Sequence, residues 1–229
     1  MKRVIEGVYR LEAAGFVNVY LVVGGADLTL IDAGHSRSAE GLLTELRDNG
    51  FDFKDVARII VTHAHADHAG GLHAFLEKRR IKVYAHPKTV PILTGKVPMP
   101  SARGVRGFCR DFLCEQLLPW KPIEAAVALE TGTPLRGIPQ WQVLQTPGHT
   151  EGSISLFHPA AQVLICGDVL SNRGGRLHAM APVLHEDPKT LRVSIEGLSK
   201  LDVDILCCGH GPVLRGGAFR YIEAVLVRR

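Results

Sequence analysis

Residues 59–71 read Ile59-Ile60-Val61-Thr62-His63-Ala64-His65-Ala66-Asp67-His68-Ala69-Gly70-Gly71, the stretch that restricts this chain most. An apolar run leads straight into His63, His65, Asp67 and His68, four potential metal ligands within six residues, and two glycines then open a helical pattern. A buried strand with such an ending predicts a metal site at its end. In an extended segment His63, His65 and Asp67 fall on one side by the period of two, and His68 points elsewhere. One segment can therefore serve two metals. Ala64 and Ala66 keep the intervening positions small, so the backbone can curl around the ions.

Composition serves mainly to exclude. The 229 residues are 46% hydrophobic and 22% charged, enough for one large core, and no low-complexity stretch or linker divides them, so a single domain over 1–229 is expected. No apolar run approaches the ~20 residues that span a bilayer, and the N-terminus lacks the pattern of an export signal. A cytoplasmic location without membrane association follows as the expectation. The five cysteines are odd in number and unpatterned, so reduced thiols are expected rather than a disulfide framework. A net charge of +4 without a basic stripe argues against nucleic acid and suits a small, anionic substrate. The oligomeric state stays open.

Strands are expected at 8–11, 17–23 and 28–31, with 24–27 as a turn and Asp32-Ala33-Gly34-His35 after the third. Ser36 can cap a helix running to Asn49, stopped by Gly50. A strand at 57–61, a helix at 71–80, a strand at 81–85 and a helix starting at His86-Pro87 follow. From about 93 to 122 the periodicity fails. This irregular insertion, with four prolines, Arg103, Arg106, Arg110, Phe108 and Trp120, reads either as a substrate lid or as a connection without a role. Strands then recur at 126–129, 141–145, 154–157, 163–166 and 205–207, with helices at 187–200 and 218–226. Mixed strands and helices with hairpins among them make an α/β pattern that is neither doubly wound nor all-β.

Three strand ends carry related chemistry: His149 in Thr146-Pro147-Gly148-His149-Thr150, Asp168 after Gly167, and His210 in Cys208-Gly209-His210-Gly211-Pro212. Glycine lets a backbone approach an ion closely, and ligands belong where a strand gives way to a loop. With the opening stretch this makes five histidines and two aspartates, a set suited to two ions sharing a carboxylate. His73, His86 and His158 read as structural or exposed, whereas His35, His178 and His185 lie in loops able to face the site. Cys166, Cys207 and Cys208 read as buried thiols.

These motifs, with Leu30-Ile31-Asp32-Ala33-Gly34 before them, resemble the metallo-β-lactamase superfamily over residues 30–212. The resemblance implies an αββα sandwich of two mixed β-sheets with helices on both outer faces. It also implies that His63, His65 and His149 bind one metal, that Asp67, His68 and His210 bind the second, and that Asp168 bridges them. Asp67 and Asp168 thereby become the candidate catalytic carboxylates. Asp32 would sit behind the ligands and orient one of them, the alternative being a cap on the Ser36 helix. Two divalent ions are implied; zinc suits imidazole and carboxylate donors, and iron or manganese is also compatible. Against two aspartates the ions keep formal charge +2, enough to hold a hydroxide that attacks the activated carbonyl of an ester, thioester or lactone. The alternatives are hydrolysis of a β-lactam or other amide, and a mononuclear iron oxygenase of the same fold. Hydroxyacylglutathione hydrolases look closest in ligand pattern, but only 19 residues follow His210. Arg103, Arg106 and Arg173 are then the candidate partners of an anionic substrate.

Overall fold

The computed structural model describes residues 1–25, 27–99, 118–135, 137–179 and 186–227. Its first sheet pairs seven strands in sequence order: β1 (Lys2–Ile5), β2 (Val8–Leu11), β3 (Val19–Gly24), β4 (Asp27–Ile31), β5 (Val56–Val61), β6 (Lys82–Ala85) and β7 (Val127–Ala128). The pairs from β1 to β4 are antiparallel and those from β4 to β7 parallel. The second half supplies β8 (Gln142–Gln145), β9 (Ile154–His158), β10 (Val163–Gly167), the hairpin β11 (Leu170–Arg173) with β12 (Arg176–Ala179), β13 (Ile205–Cys208) and β14 (Leu214–Arg215). Five of them form the second sheet in the order β14-β13-β10-β9-β8, with β10 and β13 parallel and the rest antiparallel.

Alternation along each strand builds the layers. On β3, Tyr20 and Val22 join Ile31 and Ile60 in the core between the sheets, whereas Val19 and Leu21 face the opposite way. On β10, Val163 and Ile165 enter that central core while Leu164 and Cys166 face outward. Helices close both outer faces. The short α2 (Ala66–Ala69), α3 (Leu72–Lys78) and α1 (Ala39–Asp48) pack Ala69, Leu72, Phe75, Leu42 and Leu46 over the first sheet, with α4 (Val90–Leu93) adding Leu93. Leu191, Ile195 and Leu198 of α5 (Pro188–Leu198) and Ala218 and Ile222 of α6 (Ala218–Val227) cover the second. Each leucine, isoleucine or phenylalanine among them contributes about 1.5–3 kcal/mol on burial, so three apolar layers hold the architecture. The fold is an αββα sandwich of two mixed sheets. Among the described residues no helix is long and apolar enough to cross a membrane.

The sequence reading needs correction at several points. The first helix starts at Ala39, with Ser38 at its N-cap, and Ser36 caps nothing; its hydroxyl is buried without a hydrogen-bond partner. Residues 32–38 instead form a loop tied to the 63–71 segment, with Ala33 N–H donating to His68 O and Gly71 N–H to Gly34 O. The helix expected at 71–80 spans only Leu72–Lys78, and a separate turn of helix, α2, precedes it. β1 precedes the three expected strands, its charged Lys2 and Arg3 hiding it. The segment after Asp168 is a hairpin, β11–β12, rather than loop, because its polar sequence conceals a Gly174-Gly175 turn. By contrast, α5 begins as expected, the Asp187 side chain accepting from the backbone N–H groups of Lys189 and Thr190 with Pro188 in the first turn. The insertion's ends meet, Ile123 N–H donating to Leu93 O at 2.8 Å. Residues 100–117, with Arg103, Arg106, Arg110, Cys109 and Cys114, lie outside the described residues, and so does His185.

Candidate metal centre

The site forms where both sheets present strand ends on one edge. β5 ends at Val61 and delivers His63; His65 caps α2, which carries Asp67 and His68. The turn after β8 brings His149, β10 ends in Gly167 beside Asp168, and β13 ends before His210. The helical turn overturns the extended reading of this segment: Asp67 leaves the side of His63 and His65 and turns with His68 toward His210. Three overlapping clusters result, His63/His65/His149, His63/His68/Asp168 and Asp67/His68/His210, with donor atoms within 4.8 Å of one another in each.

In the first cluster His65 Nδ1 lies 3.1 Å from His63 Nε2 and 2.9 Å from His149 Nε2. In the third, His210 Nε2 lies 3.4 Å from both Asp67 Oδ2 and His68 Nε2. One oxygen, Asp168 Oδ2, faces both, at 4.0 Å from His63 Nε2, 3.5 Å from His149 Nε2 and 3.2 Å from His210 Nε2. Its partner Oδ1 is buried and accepts no hydrogen bond, with His68 Nε2 at 3.3 Å. A buried carboxylate oxygen without a hydrogen bond is costly unless a cation faces it. Seven imidazole and carboxylate donors around that orphaned oxygen fit divalent cations.

Electrostatics distinguishes the two sides. Burial, reinforced by the neighbouring imidazoles of His68 and His149, holds His63 well below the ordinary histidine value, so it stays neutral and able to coordinate. On the other side burial opposes charge on His68, but Asp168, Asp67 and Asp32 outweigh it and raise its pKa well above normal. His210 rises to about 10 for the same reason, against its own desolvation. Burial alone would raise Asp168 and Asp67; facing His68 and His210 instead hold both below the usual carboxylate range.

Hydrogen bonds behind the donors fix which ring nitrogen faces inward. Asp32 Oδ2 lies 2.8 Å from His68 Nδ1 and accepts from the Thr62 hydroxyl at 2.8 Å, while Oδ1 accepts from Thr62 N–H at 2.7 Å. The Thr62 oxygen is in turn 3.1 Å from His63 Nδ1. A single carboxylate thus orients His68 directly and His63 through one hydroxyl, leaving each Nε2 to the cluster. Asp32 holds a left-handed φ of 64° to do this, so it is not a helix cap. His210 is set by Phe16, whose carbonyl oxygen lies 2.9 Å from its Nδ1. Asn18 clamps the same loop, its side-chain amide donating to Cys208 O at 2.9 Å and Gly211 O at 2.7 Å, and Tyr20 OH adds a bond to Cys208 O at 2.7 Å. Gly209 is needed for the close approach: a Cβ there would stand 2.2 Å from Asp168 Oδ1 and 2.7 Å from His68 Cε1.

Other candidates fall outside this cluster. Arg173 is exposed at the end of β11, opposite Arg176 and next to Asn172, whose N–H donates to His210 O at 3.1 Å. His178 is exposed on β12, His73 lies 3.2 Å from Glu77, and His158 accepts from Ala161 N–H. Cys166, Cys207 and Cys208 are buried free thiols, and burial helps push the last two up, which keeps them protonated. Sequence reasoning missed Phe16, Asn18, Tyr20 and the role of Thr62. Asn18 carried a faint signal, a polar residue opening an otherwise apolar strand; Phe16 carried none.

Comparison with known proteins agrees with this geometry. The family model described as "Metallo-beta-lactamase superfamily" matches residues 13–210. The chain is 29% identical over 232 residues to "Probable metallo-hydrolase YflN" of Bacillus subtilis, covering 94% of this chain and 88% of that protein. It is 28% identical over 204 residues to a hydroxyacylglutathione hydrolase of Hahella chejuensis, covering 87% of this chain and 62% of that enzyme. The solved structure of TTHA1623 in a di-iron-bound form aligns with a TM-score of 0.64 at 29% identity, over 87% of this chain and 89% of that one. A sandwich with this donor edge, matched by the family model over most of its length, belongs to the metallo-beta-lactamase superfamily of metallo-hydrolases.

Proposed function

We propose that the protein is a dinuclear metal-dependent hydrolase of an activated ester, thioester or lactone in a small molecule. One observation carries the reading: Asp168 Oδ2 lies 3.2–4.0 Å from ring nitrogens of both triads while its buried Oδ1 has no hydrogen bond and faces His68 Nε2 at 3.3 Å, as a carboxylate shared by two cations would. His63, His65 and His149 would hold one ion, Asp67, His68 and His210 the other, and zinc suits the donors best. Bound there, two divalent ions supply Lewis acidity toward a carbonyl and a hydroxide nucleophile at neutral pH. The chain's own part is preorganisation. Asp32 and Thr62 hold His63 and His68, and Phe16 and Asn18 hold the His210 loop. The hydroxyacylglutathione hydrolase relative supports thioester chemistry, and the di-iron form of TTHA1623 supports two ions.

The test measures metal content and turnover on one preparation, against thioester, lactone, aryl-ester and β-lactam substrates. Two ions per chain with hydrolysis of one of the first three classes is expected. A single iron per chain without hydrolysis would overturn the reading, and hydrolysis of the β-lactam alone would move it to amide chemistry.

A further inference from the structure

Among the described residues one phenylalanine is exposed, and it stands beside the second triad. Phe16 is 57% exposed, although its neighbours Ala14 and Val17 are buried. The loop that carries it is pinned on both sides. The Glu45 carboxylate on α1 accepts from the backbone N–H groups of Glu12 at 2.9 Å and Ala13 at 2.8 Å, and Asn18 N–H donates to Gly209 O at 2.7 Å. The ring is therefore not exposed for want of anchoring. It lies parallel to two imidazoles, His35 with centroids 5.5 Å apart at 2° and His210 at 6.1 Å and 4°. Burial lowers the pKa of His35, so that end of the stack is uncharged at neutral pH. Water left against a fixed phenyl ring is unfavourable, and an apolar surface held out beside a polar donor cluster fits a ligand's apolar part.

We propose that Phe16 is a specificity-determining residue that receives the apolar portion of the departing alcohol or thiol. This rests on the hydrolase reading above. The side is chosen by contact: Phe16 lies against His210, whose side chain and that of Asp67 are 20% and 23% exposed, while in the first triad only His65 is half-buried and His63 and His149 are 1% and 2% exposed. In a thioester the acyl carbon–sulfur bond breaks, water's oxygen joins the acyl carbon, and the products are a carboxylate, the thiol and one proton. The thiol's chain then leaves along Phe16.

The probes are S-acetyl derivatives of ethanethiol, butanethiol and hexanethiol, whose acyl groups are identical and whose thiols are similarly basic, so only apolar contact varies. On the metal-loaded protein kcat/KM should rise about tenfold from the ethyl to the hexyl compound, as expected if the equivalent of about two of the four added methylenes is buried against the exposed ring. Phe16→Ala should flatten the series and Phe16→Leu should keep it. A Phe16→Ala loss uniform across the series would overturn the proposal and reduce the ring to a support for His210. A second readout needs no turnover: calorimetric binding of hexanethiol should be tighter than that of ethanethiol, and Phe16→Ala should erase the difference. If none of the thioester, lactone and aryl-ester substrates is hydrolysed but this binding difference holds, the hydrolase reading falls and the apolar platform stands. Equal binding of both thiols by the unaltered protein overturns the platform whatever the variants do.

Discussion

The two donor triads share Asp168 and differ in almost everything else. His63, His65 and His149 are all imidazoles; two of them are nearly sealed from water, and His63 is kept neutral by its own burial. Asp67, His68 and His210 mix carboxylate with imidazole on a more open side, and there the carboxylates draw protons onto both histidines. The first triad is a set of lone pairs arranged in advance. The second is a negative site whose histidine protons stand where cation charge would. The contrast teaches that one edge of a fold can present two donor clusters of different character: neutral imidazoles on one side, and on the other carboxylates and imidazoles where a metal would compete with protons.

The largest expected effect breaks the sharing itself. Asp168→Ala should reduce metal content from two ions to one, the second triad losing its ion, and lower turnover by orders of magnitude, read by elemental analysis and kinetics on one sample. Retention of both ions with full activity would remove the shared role. Asp32→Asn and Thr62→Val sharpen the contrast with smaller effects. Asp32 reaches both triads, so its change should weaken metal affinity about 10–100-fold. Thr62→Val removes the link from Asp32 to His63 but leaves Asp32 bonded to His68 and to Thr62 N–H, so it should weaken the first triad more than the second and by less than Asp32→Asn, measured by competition with a chromophoric chelator; equal losses at both triads would contradict the wiring.

The smallest effect is on stability. In chelator-treated protein His210 titrates near 10 in the folded state against about 6.5 unfolded. A raised value means the stabilising proton is fully bound in both states below about 6.5, so its contribution is complete there and is lost as pH rises through about 10. Thermal unfolding from pH 6 to 10.5 should show that decline, and His210→Gln should remove its part of the slope. An unchanged slope in the variant would place the linkage elsewhere.

Much of the architecture was legible because it rests on periodicity. The alternating apolar residues of β3, β5 and β10 mark strands wherever they sit, and Asp187-Pro188 announces a helix start through local hydrogen bonding. The seven candidate donors were equally visible, since glycine and strand end surround each. What local pattern hid was whatever depends on contacts remote in sequence. Ser36 looked like a cap because the bonds that pull residues 32–38 toward His68 and Gly71 leave no local trace. Asp67 looked like a neighbour of His63 because the chain's change from strand to helix at Ala66 is decided by packing of Ala69 and Leu72 on the sheet. Arg173 was a candidate by charge alone; the hairpin leaves it exposed next to Asn172, whose N–H donates to His210 O.

The sequence by itself therefore determined the layers, the family and which residues are the candidate donors, because burial periods and strand ends rich in histidine and aspartate are written within short windows. Only the tertiary structure decided that Asp67 turns with His68 toward His210, that Asp32 reaches both triads, and that Phe16 stands exposed against His210. These rest on pairs such as Phe16 with His210 and Asn18 with Gly211, separated by 194 and 193 residues, which meet only when both sheets have closed on one another.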